Sequence, residues 1–173
     1  MFVLGIDPGL SITGYGVISC EGDRLRAVAA GALRTSPDAP HPARLAELFA
    51  DVERLLGEFH PDEVAIEQVF VNRNLQTATA VGRASGVLLL AAARAGIPVF
   101  EYTPSAVKLA VTGSGDAAKD RVQALVARRL GLAAAPEPAD AADALAVALC
   151  PVQSARLRRA VARAARGSAA CEA

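Results

Sequence analysis

Tryptophan is absent from this chain of 173 residues, and five Phe and two Tyr supply its whole 4% of aromatic content. A core must therefore be built from aliphatic side chains and alanine. Cysteine is nearly as scarce: Cys20, Cys150 and Cys171 are far apart and odd in number, with no C-x-x-C pair. That spacing indicates no disulfide frame or zinc site and fits a reducing cytosol. The only histidines, His41 and His60, lie in or beside an acidic stretch and offer no catalytic spacing. Only Lys108 and Lys119 are lysine, against sixteen Arg, which with so much alanine reads as a GC-rich coding bias. Long apolar runs are missing too. The most apolar stretch, residues 86–100, is broken by Arg94 and falls short of the ~20 residues that span a bilayer. The N-terminus lacks the basic start and cleavage site of a signal peptide. A soluble cytoplasmic protein is expected.

What is present is a globular composition, 53% hydrophobic, at a length that suits one domain with a substantial core. Formal net charge is zero, yet its distribution is uneven. Residues 38–67 carry eight acids against Arg44 and Arg54, and residues 68–135 carry eight Lys/Arg against Glu101, Asp116 and Asp120. The last 23 residues add five Arg against Glu172. A molecule neutral overall but basic on one face can bind a phosphate backbone, and an ordinary mixed surface fits the same numbers.

The pattern predicts strands at residues 2–6, 15–19 and 25–33 as an antiparallel meander, then a helix marked by Leu45, Leu48, Phe49, Val52, Leu55 and Leu56. A strand at 64–69, a helix at 75–95 and a strand at 99–102 follow. Helices at 105–111 and 118–130 and a last one from about 140 complete the order. Ala78, Gly82, Ser85 and Gly86 form a small-residue stripe that implies close packing, against the sheet or against the same helix of a second copy. This is an α/β layout with a mixed sheet and helices on both faces. The domain is expected over residues 1–155, with a basic C-terminal tail over 156–173, either a disordered phosphate-binding arm or a solvated end.

Four carboxylates stand among small apolar neighbours: Asp7 after Phe2-Val3-Leu4-Gly5-Ile6, Glu67 in Val64-Ala65-Ile66-Glu67-Gln68-Val69, and Asp140 and Asp143 among alanines. Isolated charges in such settings are costly to desolvate unless paired or bound to metal. Each has another explanation alone. Asp7 precedes Pro-Gly in a turn, Glu67 can face solvent on a half-exposed strand, and Asp140/Asp143 suit the first turn of a helix. Together they suit hard divalent cations, which take oxygen ligands and, as a pair ~4 Å apart, activate water and stabilise a leaving oxygen at a phosphodiester.

Gly5-Ile6-Asp7-Pro8-Gly9, Ile66-Glu67-Gln68-Val69-Phe70 and Asp140-Ala141-Ala142-Asp143-Ala144-Leu145 resemble, in order and spacing, the RuvC family of bacterial Holliday-junction resolvases. The stretch Pro98-Val99-Phe100-Glu101-Tyr102, then Val107-Lys108 and Val111-Thr112-Gly113, is similar as well. The likeness covers residues 2–150 or so. It implies an RNase H-like fold with a five-stranded mixed sheet, a homodimer, and Mg²⁺-dependent cutting of opposed strands of a four-way DNA junction. By motif, Asp7, Glu67, Asp140 and Asp143 match the catalytic, metal-binding acids, two Mg²⁺ per site with Mn²⁺ as a substitute. Phe70 matches an aromatic inserted near the junction centre, and Lys108 and Lys119 match DNA contacts near the scissile phosphate. Arg73, in the polar loop after Phe70, is a further candidate DNA contact. The RuvA–RuvB branch-migration machinery is the implied partner. The Arg-rich tail matches no motif of the family.

An actin- or sugar-kinase-type ATPase shares a Gly-Ile-Asp-x-Gly loop, but it needs a second homologous half for which 173 residues leave no room. A nuclease of the same fold acting on RNA or another branched nucleic acid is the alternative. A junction binder without catalysis would lose an acid, and all four are present.

Overall fold

The computed structural model describes residues 1–68 and 75–169, with side chains described as far as Ser154. Phe70 and Arg73 lie outside the described residues. β1 (Phe2–Asp7), β2 (Ile12–Glu21) and β3 (Arg24–Arg34) form the expected meander, closed by Gly22 at φ +61°. α1 (His41–Phe59), β4 (Glu63–Glu67), α2 (Leu75–Arg94) and β5 (Val99–Tyr102) follow, then α3 (Pro104–Thr112), α4 (Lys119–Leu130) and α5 (Ala139–Ala169). The five strands stand in the order β3-β2-β1-β4-β5. β1 is antiparallel to β2 but parallel to β4, and β4 is parallel to β5. The mixed sheet read from the element order is therefore observed. β2 begins at Ile12, three residues before the expected start, because its glycines, weak strand formers, lie beneath a helix.

Strand side chains alternate between faces, so each face has its own core. On one, Leu4, Ile6, Val64 and Ile66 pack with Leu48, Val52, Leu55 and Leu56 of α1 and Ala84, Leu88, Ala91 and Ala92 of α2. On the other, Val3 and Ala65 meet α3, α4 and α5 through Val107, Val111, Val126, Leu145 and Leu149. α5 lies across β1 and β2 and is buried almost without a break from Ala141 to Val152, interrupted only by Asp143.

The two ends of α1 differ. Its start at Pro40 makes no side-chain cap bond, whereas His60 closes it in the left-handed conformation (φ 43°) just before Pro61. Among the described residues, α2 is covered on only one side: Leu75 and Leu90 are exposed, and a methyl added at Gly82 or Gly86 would meet nothing within 4 Å. Of the two expectations for the small-residue stripe, packing on the chain's own sheet is thereby removed. By length and composition α2 is apolar enough to cross a membrane, which the shorter run read from the sequence was not. Its inner residues pack on the sheet, and Arg83, midway along it, bonds His41 Nδ1 at 3.2 Å.

Candidate active site

Asp7 and Glu67 end neighbouring parallel strands, one residue beyond the Ile6–Ile66 pairing. Since Ile6 and Ile66 enter the core under α1 and α2, alternation turns Asp7 and Glu67 to the opposite face, toward α5. Two glycines let α5 come close enough to matter. A Cβ at Gly5 would collide with the backbone of Ala144 and Ala148, and one at Gly14, paired with Asp7 across β1 and β2, with the backbone of Asp140. The first turn of α5 thus lies directly on the strand ends and brings Asp140 and Asp143 beside Asp7. In the sequence Gly5 stood out only as part of the motif around Asp7, and Gly14 not at all. Glycine within a strand is the available signal, since it marks close backbone approach.

Asp7, Glu67 and Asp143 line a cleft of about 240 Å³ with Lys108 of α3, Lys119 of α4 and the apolar walls Pro104, Val107, Val122 and Ala146. Asp140 is not in its lining, but its charge acts on Asp7 and Lys119. Lys119 Nζ donates to Asp143 Oδ2 at 2.6 Å. The acids repel one another and are desolvated. Burial first, then Asp143 and Asp140, raise Asp7 to about 6. Burial first, then Asp7 and Asp143, raise Glu67 to about 7. Lys119 is held above its usual value, chiefly by its bond to Asp143. Below these carboxylates, burial pushes the Cys150 thiol up to about 12, and its Sγ donates to Ala146 O at 3.6 Å.

The turn that carries Asp7 is tied down twice. Thr13, buried, donates through Oγ1 to Gly9 O at 2.5 Å. Behind it Arg44 of α1, only 6% exposed, donates to Thr35 Oγ1 at 2.9 Å and to Ser11 Oγ at 2.7 Å, and Thr35 donates to Leu10 O at 2.6 Å. Sequence reading assigned Arg44 only a share of the helix charge, and nothing in the pattern sets it apart.

The donor set is all carboxylate oxygen, which fits a hard divalent cation and not zinc or copper. Among the described residues, no three such side chains have converged far enough to hold an ion. Carboxylates that suit a hard cation thus stand beside two lysines whose charge suits phosphate. Of the expected site residues, Asp7, Glu67, Asp143, Lys108 and Lys119 share one cleft, and Asp140 stands at its margin.

Residues 3–151 match the family described as crossover junction endodeoxyribonuclease RuvC. The RuvC of Heliobacterium modesticaldum is 51% identical over 154 residues, 89% of this chain and 95% of that one. The Thermus thermophilus RuvC structure superposes with a TM-score of 0.85 at 42% identity, covering 91% of this chain and 96% of that one. The structure of T. thermophilus RuvC in complex with a Holliday junction substrate gives 0.83 at 39% identity, with the same coverage.

Proposed function

The chain belongs to the RuvC family of crossover junction endodeoxyribonucleases, and we propose that its cleft at the ends of β1 and β4 is where it resolves four-way DNA junctions. One observation carries the assignment of the site: Asp7, Glu67 and Asp143 meet two lysines at the carboxyl ends of parallel strands, where open α/β sheets bind ligands. The reaction is metal-dependent hydrolysis of phosphodiesters on opposed strands. Mg²⁺, with Mn²⁺ as a substitute, is the cation that the oxygen-only donor set favours.

Asp7, Glu67, Asp140 and Asp143 would hold the metal, which when bound would polarise the phosphodiester and lower the pKa of an attacking water. The protein's own groups do the rest. Lys108 and Lys119 face the same space and meet phosphate charge, including the charge that grows as the bond breaks. Pro104, Val107 and Val122 wall the cleft with apolar surface and strengthen every charge interaction inside. Gly5 and Gly14 set the height of α5 above the strands, and Arg44 and Thr13 fix the turn after Asp7. Phe70 and Arg73, beyond the described residues, are assigned by motif to the junction centre and its backbone.

Two opposed cuts require two such sites, so a homodimer is part of the proposal. The uncovered face of α2 supports it: an apolar helix with Gly82 and Gly86 open suits a second copy of itself. The RuvA–RuvB machinery implied by the family is the proposed upstream partner. The free thiols of Cys20 and Cys150 support placing the protein in the cytoplasm. Labelled four-way junction and linear duplex, incubated with protein and Mg²⁺, test the whole reading. Symmetric cuts in the junction alone, abolished by EDTA, are expected. Equal cutting of both substrates, or cutting that persists in EDTA, overturns it.

A further inference from the structure

Lys119 occupies an awkward place for a cation. It is the first residue of α4, where free N–H groups and the helix dipole make the surroundings positive. Asp120 in the same turn suits that end, and Lys119 does not. What offsets the mismatch is Asp143, whose Oδ2 receives Nζ at 2.6 Å across 24 residues of sequence. The two partners are unequally free. The Lys119 side chain is 59% exposed and Asp143 23%, so the lysine can swing toward solvent while the carboxylate stays in place. Lys119 also lines the cleft with Asp7 and Glu67 and offsets the charge of both.

An ammonium bonded to a carboxylate oxygen takes up a position that a divalent cation would need. We propose that Lys119 is the resident counter-cation of the metal-free site, holding Asp143 until a DNA phosphate draws the ammonium away and frees that carboxylate to complete the metal set. This rests on the metal-site reading given above and adds an order to it, substrate docking before full metal loading. A phosphate oxygen at the mouth of the cleft competes for the same Nζ, and losing the ammonium leaves the acids with more uncompensated negative charge. Metal affinity then rises because DNA has arrived. By linkage, anything that releases Lys119 from Asp143 raises affinity for DNA as well.

Two measurements without cleavage test this. Mn²⁺ titrated calorimetrically into DNA-free protein should bind Lys119→Met on the order of tenfold tighter than the unsubstituted chain. The variant should also melt lower without metal and gain more on adding Mn²⁺. Junction affinity in EDTA supplies the second arm. Asp143→Asn and Asp140→Asn remove the same charge, but only the first releases Lys119, so Asp143→Asn should tighten metal-free junction binding more. Lys119→Met binding Mn²⁺ no tighter, or the two Asn variants binding junction alike, overturns the counter-cation role while leaving the metal site standing. No Mn²⁺ uptake by either the unsubstituted chain or Lys119→Met overturns the metal site and this role together.

Discussion

The two faces of the sheet are packed by opposite means. Under α1 and α2 the strands contribute Leu4, Ile6, Val64 and Ile66, and the helices answer with Leu48, Val52, Leu55, Leu56 and Leu88. Bulk fills the space there, and the helices stand off. Under α5 the strands contribute Gly5, Gly14 and Gly16, and the helix answers with its own backbone at Asp140, Ala144 and Ala148 and with Leu145 over Gly16. Closeness replaces bulk. The first face gives stability to the domain, and the second sacrifices side-chain contact to bring carboxylates from strand and helix into one cleft. Function at the proposed site depends on a distance set by missing atoms.

The sharpest way to break this comparison is chemical. Asp7→Asn keeps the volume and removes the charge, so cleavage should fall on the order of 10³-fold or more while junction binding in EDTA survives. Leu88→Ala, on the bulky face, should leave the cutting rate of the folded fraction near normal. Unchanged cutting by Asp7→Asn in a junction assay would remove Asp7 from the site.

Next comes a matched pair on stability. Gly14→Ala forces α5 off the strands because its Cβ meets backbone, at a cost of about 3 kcal/mol. Leu88→Ala leaves a cavity in the other core at a cost of about 2–5 kcal/mol. Urea denaturation should therefore rank them together, and Mn²⁺ calorimetry should separate them, with weaker binding only for Gly14→Ala. Equal Mn²⁺ affinities would show that the height of α5 does not set the site.

The same contrast explains how much could be read from the chain. The bulky face was legible because a helix over a sheet repeats its leucines every three or four residues, as residues 45–56 do. The four acids were legible for the opposite reason: Asp7, Glu67, Asp140 and Asp143 break apolar surroundings, so each asks for an explanation. Their inequality was not. Asp140 and Asp143 look alike in sequence, yet only Asp143 lines the cleft, because a helix advances about 4.5 Å and turns about 60° short of a circle over three residues. Arg44 stayed hidden since its partners, Ser11 and Thr35, come from distant loops. The Lys119 bond to Asp143 was likewise a matter of tertiary placement. The open side of α2 was half legible: its small stripe predicted a close partner, and only the fold shows that the sheet is not that partner.

Acidity offers a gentler probe of the close face. Asp7 is raised from 3.8 to about 6 and Glu67 from 4.5 to about 7. Between the unfolded and folded values the native protein binds more protons than the unfolded chain, so stability falls as pH rises. Metal-free protein should lose melting temperature from about pH 4 to about pH 7 and level off above. Asp7→Asn or Glu67→Gln removes one raised acid and should flatten part of that slope. Mn²⁺, which needs both acids ionised, should bind better at pH 8 than at pH 6. A metal-free melting temperature that climbs between pH 4 and 7 in step with the variants would contradict the crowding of these carboxylates.

The smallest effect tests the other face. Gly82 sits inside α2 with open space beyond it among the described residues, so Gly82→Ala should stabilise the isolated subunit by about 1 kcal/mol through helix propensity alone. On the α5 face the same substitution, at Gly14, destabilises, and the opposite signs are the comparison in its simplest form. If two α2 helices meet in the proposed homodimer, the added methyl then carries a second consequence, since small residues are what allow helices to approach closely. Denaturation at low protein concentration should show the gain. At high concentration it should shrink or reverse, with dimer dissociation by sedimentation shifting to match. A gain of the same size at every concentration would leave the open face of α2 without its partner and move the dimer contact elsewhere on the molecule.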